Sequence, residues 1–278
     1  MSLRSLDIPL VADDGHRFNL IARIPARPRS SLLWLPALGV AARHYLPLAE
    51  ALAARGVAVF VHEWRGNGSS NLRASRRNDW GYREILTRDL PLSHAALQQH
   101  AEAATAIIGG HSLGGQLAAC YLGLQAQRFQ RLWLVASGTP YWRTFPGLRG
   151  YALPLFYRFA IWISRRRGAL PGRRLGFGGE EAGRLIRDWA RVGLGGRYAA
   201  AGLDIDLEAA MAQAPAAIDA VLLADDWLAP HSSLQALLDK LPLTAVRTEI
   251  LSAEDLQTTA DHFAWMKQPQ AVAEALDR

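Results

Sequence analysis

Short apolar runs alternate along the chain with longer stretches whose apolar residues recur at helical spacing, the pattern of a mainly parallel sheet covered on both faces. Residues 1–10 alternate in polarity, residues 17–25 alternate again, and Asp13-Asp14-Gly15 lies between them, which predicts an opening hairpin. Residues 31–35, 57–64, 104–109, 132–136, 217–224 and 246–251 read as further strands. Helices are expected over 45–55, where Leu46, Leu48, Ala49, Leu52 and Ala53 share a face and Gly56 closes the element, and over 113–127, 232–238 and 269–276. Residues 65–78, rich in Arg, Gly, Ser and Asn, predict a loop, after which Asp89 is expected to cap a helix running towards His100.

The alternation breaks after Pro140. Residues 141–165 hold eight of the 24 aromatics, then comes Gly- and Arg-rich sequence and a helical stretch at 181–192. The pattern predicts an α/β core built from residues 1–140 and 201–278, with residues 141–200 inserted as a helical cap. Charge follows the same division: the chain carries +6, yet Arg143 to Arg197 alone holds twelve Arg against three acids. The basic balance is thus not spread along a nucleic-acid-binding face, and no nucleic-acid motif accompanies it. One cysteine, Cys120, excludes an internal disulfide or a cysteine-built zinc cage, and its place on the 113–127 helix predicts a buried, inert thiol. The first ten residues lack a signal-peptide apolar run, and the stretch 151–164 is too short to span a bilayer and is broken by Arg158, so a cytoplasmic protein is expected.

Chemistry concentrates at Gly110-His111-Ser112-Leu113-Gly114, a GxSxG motif directly between a predicted strand and a predicted helix. That turn lifts a serine hydroxyl above the sheet at a helix N-terminus, which makes Ser112 the candidate nucleophile. A serine needs a base within hydrogen-bond reach and a carboxylate to orient it. Eight histidines are available. The strand at 217–224 runs into Asp225-Asp226, of which one can face a histidine. Amides for a developing oxyanion would come from Leu113 and from the loop Pro36-Ala37-Leu38-Gly39, with Leu38 favoured and Ala37 its neighbour.

Leu35-Pro36-Ala37-Leu38-Gly39-Val40, Arg65-Gly66-Asn67-Gly68-Ser69, Gly110-His111-Ser112-Leu113-Gly114-Gly115, Asp226 to Pro230 and His262 together resemble an α/β hydrolase over nearly the whole chain. The chain is most similar to predicted bacterial serine hydrolases near the serine aminopeptidase and monoacylglycerol lipase-like branch. Glu63 stands where that group has Asp before aromatic-Arg-Gly, and Pro36-Ala37 replaces a frequent His-Gly. The family order of serine, acid and base leaves His231 and His262. His262, about ten residues past the last strand, is the expected base, because His231 lies beside Pro230 at a helix start. The resemblance also implies Asp226 as the acid, since three residues and then Pro follow it.

The implied activity is hydrolysis of a carboxylic ester, or a thioester or amide, through an acyl-enzyme. An acyltransferase with the same triad and a non-catalytic ligand-binding module are the alternatives. No cofactor or metal is expected, and the partner is a small-molecule acyl substrate. The cap is expected to form a lid with an apolar tunnel for a medium-length acyl chain. Trp142, Phe145, Phe156, Phe159 and Trp162 either line that tunnel or pack within the cap. Arg165-Arg166-Arg167 and Arg173-Arg174 read as solvated surface, with peripheral membrane contact as a further role for the basic cap.

Overall fold

The computed structural model describes residues 3–101 and 103–278. Eight strands, β1 (Leu3–Val11), β2 (Arg17–Pro25), β3 (Ser30–Leu35), β4 (Val57–Val61), β5 (Thr105–His111), β6 (Arg131–Val135), β9 (Ala217–Leu223) and β10 (Val246–Leu251), form one sheet in the order β1-β2-β4-β3-β5-β6-β9-β10. The opening hairpin is antiparallel, with Leu3 opposite Pro25 and Val11 opposite Arg17, and β2 lies antiparallel to β4. All remaining pairings in this sheet are parallel. β3 and β4 are buried along their whole length, as strands covered on both faces must be.

The two faces carry separate cores, and successive residues alternate between them. Leu32 and Trp34 of β3 pack with the helices Leu46–Ala54 and Gln270–Leu276, whereas Leu33 and Leu35 pack with Leu97, Leu117 and Ala118 on the opposite side. β3 has β4 on one side and β5 on the other, so the winding direction reverses there. Open α/β sheets bind ligands at such a switch, beyond the carboxyl ends of the strands.

The helix expected after Asp89 is longer, and Asp89 does not cap it. Helical structure starts at Tyr82, with Glu84 Oε2 accepting the Gly81 N–H at 2.9 Å, passes through a π-helical turn at Ile85–Asp89 and ends at His100. Pro91 has no N–H to give to the turn before it, and a wider turn accommodates its ring. Asp89 is fully buried and receives Arg65 through two bonds, at 2.6 and 2.8 Å, and His16 at 3.0 Å. Burial alone would raise its pKa, yet these partners hold it below the usual carboxylate value.

Residues 141–200 leave the sheet. They comprise the helix Gly147–Arg167, a two-stranded hairpin of β7 (Ala169–Pro171) and β8 (Glu180–Ala182), and the helix Gly183–Gly195. The last helix therefore begins two residues later than its pattern suggested, because Glu181 pairs with Leu170 across the hairpin. Polar contacts tie this segment to the loop before Tyr82. Asp79 accepts the Arg184 N–H at 2.7 Å, Asp188 accepts the Tyr82 N–H at 3.1 Å, and the Leu185 N–H reaches the Trp80 carbonyl at 2.8 Å. Tyr157, Leu185, Trp189 and Val192 belong to the same core as Leu97 and Leu117 of the main body. Cys120 is buried and free. Among the described residues, no helix is long and apolar enough to cross a membrane.

Candidate active site

β5 ends at His111 and the helix Leu113–Leu124 begins one residue later, so Ser112 must make the whole turn, at φ 56° and ψ −121°. This is a strained conformation for a residue with a Cβ, and it persists because the neighbours hold it. The Ser112 N–H donates to the Val135 carbonyl at 3.1 Å, and the Ser137 hydroxyl donates to the Ser112 carbonyl at 3.0 Å. A Cβ on Gly114 would run into the Leu35 and Pro36 carbonyls, so the helix can approach β3 this closely only at a glycine.

The loop after β3 is pinned from two sides. Trp64 Nε1 donates to the Pro36 carbonyl at 3.0 Å, and the Ala37 N–H donates to the Tyr45 hydroxyl at 2.8 Å. The same hydroxyl lies 2.8 Å from His111 Nδ1 and donates to it. Burial, together with the nearby His262, pushes the pKa of His111 well below the ordinary histidine value, so it stays neutral and accepts. The Ala37 amide is thereby committed to Tyr45. Among the described residues, the Leu38 and Leu113 amides meet no protein acceptor.

His262 and Asp226 come together across 36 residues of sequence, with His262 Nδ1 donating to Asp226 Oδ2 at 2.7 Å. Asp226 Oδ1 accepts the Leu228 N–H at 2.9 Å, so both carboxylate oxygens are engaged. Both residues are buried, whereas Asp225 is exposed and contributes its N–H to the Ala260 carbonyl. The His262 ring lies 4.7 Å from that of His111, the residue before Ser112, at a tilt of 43°, but no hydrogen bond joins the Ser112 hydroxyl to His262. In unliganded sites such bonds are often loose and tighten on the reacting complex. His231, the other candidate base, is exposed at the first turn of the helix His231–Leu238.

Where residues 141–200 meet Leu38 and Leu113, the free space is small. Leu38, Trp64, Trp80, Ile85, Leu113, Leu117, Leu185 and Glu181 enclose about 10 Å³, roughly the space of one water. The hairpin loop packs directly on the loop after β3: a Cβ at Gly39 would overlap the backbone of Gly178 and Gly179. Of the aromatics expected in tunnel or cap, Phe156 packs on Phe177 and Trp189, while Phe159 and Trp162 lie 6.0 Å apart and are largely exposed.

Sequence reasoning missed Tyr45 and Glu181. A tyrosine at a helix start and an acid in a Gly-rich stretch carry no mark of burial in one sequence. Glu181 is buried with its Oε1 accepting the Gly179 N–H at 2.7 Å, and burial raises its pKa to about 7 despite that bond. A carboxyl raised in the folded state contributes its stability below the unfolded value and loses it as pH rises through 7. Glu181→Gln keeps the Gly179 bond and cannot ionise. The variant should melt increasingly above the wild type between pH 5 and pH 8, by up to about 3 kcal/mol. Thermal melts across that range provide the check, and a constant offset would show that Glu181 does not titrate there.

Among the described residues, no group of three or more His, Cys, Asp or Glu is placed to hold a metal ion. The sequence matches the family described as serine aminopeptidase, S33, over residues 26–252. No curated protein matches it. Its fold is similar to that of DcsB, solved with a substrate analogue, at a TM-score of 0.66 and 12% identity, covering 99% of this chain and 96% of that one. A hydrolase from Pseudomonas aeruginosa gives a TM-score of 0.64 and 18% identity over 99% and 96% of the two chains. Est1E from Butyrivibrio proteoclasticus, solved with ferulic acid bound, gives 0.62 and 14% over 99% and 96%.

Proposed function

The chain belongs to the serine aminopeptidase, S33, family of α/β hydrolases, and on that premise we propose that it cleaves a carboxylic ester through an acyl-enzyme on Ser112. The observation that carries this reading is the 2.7 Å bond from His262 Nδ1 to buried Asp226, beside a serine held in a strained turn. Asp226 fixes the proton of His262 on Nδ1, which leaves Nε2 free to take the Ser112 proton as the hydroxyl attacks the acyl carbonyl. The Leu38 and Leu113 amides stabilise the oxyanion. His262 then protonates the departing alcohol, and a water activated by the same imidazole releases the acid.

Residues 141–200 act in this reading as the cap over the acyl side, and the closed chamber favours a short acyl group. On the other side, beyond His262, an open cleft of about 460 Å³ is lined by Gly39, Val40, Arg43, His44 and Phe263. In this reading water enters from that side once the alcohol has left, which favours hydrolysis over transfer. A fluorophosphonate probe should label Ser112, and acetyl and butyryl nitrophenyl esters should turn over at least about tenfold faster than the decanoyl ester, because one extra methylene without room costs about 1 kcal/mol or more. Failure of labelling would leave a ligand-binding module. Labelling with a preference for long chains would overturn only the closed chamber.

A further inference from the structure

The helix Gly147–Arg167 is apolar on two opposite faces. Gly150, Tyr157, Ala160 and Ser164 are buried against the body of the protein, while Leu148, Tyr151, Leu155, Phe159 and Trp162 are 42% to 87% exposed. At the ~100° per residue of an α-helix, these five fall on one stripe about 80° wide, opposite the buried residues. Helices apolar all round are normally covered on every side, and contiguous exposed apolar surface marks an interaction face.

Arginine frames the stripe. Arg158 and Arg165 flank one edge and Arg166 continues the stripe at its C-terminal end, while Arg149 and Arg167 lie about 80° beyond the other edge, with no acid anywhere in the helix. The guanidinium of Arg166 sits over the Trp162 ring at 5.6 Å and that of Arg149 over Trp227 at 5.1 Å. Trp227 is itself exposed and follows Asp226 in sequence.

We propose that this face docks on an anionic lipid surface, with the helix lying in the plane of the interface. The five apolar side chains enter the boundary between headgroups and acyl chains, and the flanking arginines meet the phosphates. Charge selects this occupant over a second copy of the chain. Two copies meeting along the stripe would hold Arg158, Arg165 and Arg166 of each at the seam with no acid of either helix to pair them. The proposal concerns binding alone and holds whether or not Ser112 is a nucleophile.

The test is co-sedimentation of the full chain with vesicles of phosphatidylcholine alone or mixed equally with phosphatidylglycerol, at low and high salt, repeated with Ser112→Ala protein. Both proteins should bind the mixed vesicles, and more weakly as salt rises. Replacing Arg165, Arg166 and Arg167 together by Gln should weaken binding to mixed vesicles about a hundredfold and remove most of its salt dependence. Leu155→Ser combined with Phe159→Ser should weaken binding to both vesicle types about tenfold or more. These positions are exposed, and circular dichroism should show an unchanged fold. Absence of wild-type binding, or equal binding by the variants, would overturn the proposal. So would a lipid-free dimer, seen by sedimentation velocity, that Leu155→Ser dissociates.

Discussion

Ser112→Ala should lower kcat/KM on nitrophenyl acetate by about 10,000-fold or more while leaving the melting temperature within a few degrees of the wild type. Alanine meets the same backbone strain at φ 56° as serine, and the flanking bonds to Val135 and Ser137 are made by the backbone of residue 112, so nothing that holds the turn is removed. Only the attacking oxygen is lost. Activity above about one per cent of wild type would mean that another group, or a water held by His262, performs the attack.

Asp226→Asn should cost about as much as removing the histidine proton acceptor, on the order of 10,000-fold in kcat, whereas Asp225→Asn should stay within about twofold. The reason lies in the Leu228 N–H, which donates to Asp226 Oδ1 at 2.9 Å. An asparagine would turn its carbonyl oxygen to that amide and thereby present its NH₂ to His262 Nδ1. The imidazole would then accept at Nδ1 and carry its proton on Nε2, where it cannot take one from serine. Asp225, exposed and joined to Ala260 only through its backbone, has no such lever. Comparable losses at both positions would place the orienting carboxylate elsewhere.

The sheet was legible because its strands are short apolar or alternating runs between clear turn residues, and the 17–25 and 246–251 strands end where the pattern ends. The GxSxG motif was legible for a related reason: a strand, a forced turn and a helix meet there within five residues. Asp89 was misread because an acid ahead of Leu90 and Pro91 looks like a cap, and nothing local announces that Arg65 and His16 will claim it from other elements. The helix at 147–167 shows a different limit. Its apolar residues occur on both faces, so periodicity could not say which face the protein would cover, and Phe159 and Trp162 read as interior side chains. The burial of Glu181 depends on a hairpin whose strands are three residues each, too short to register in hydrophobic pattern.

The contact of Gly39 with Gly178 and Gly179 sets where this scaffold can be remodelled. Two stretches of main chain meet there with no side chain between them, so the seam offers nothing for substitution to adjust. Even alanine at 39, already at φ 75°, would force the hairpin off the loop that presents the Leu38 amide. Changes at the seam would therefore disturb the loop that carries the proposed oxyanion donor. Trp80 and Leu185 line the proposed acyl chamber away from that seam, which makes them the positions where, on the proposed reading, substrate size can be changed independently of reactivity.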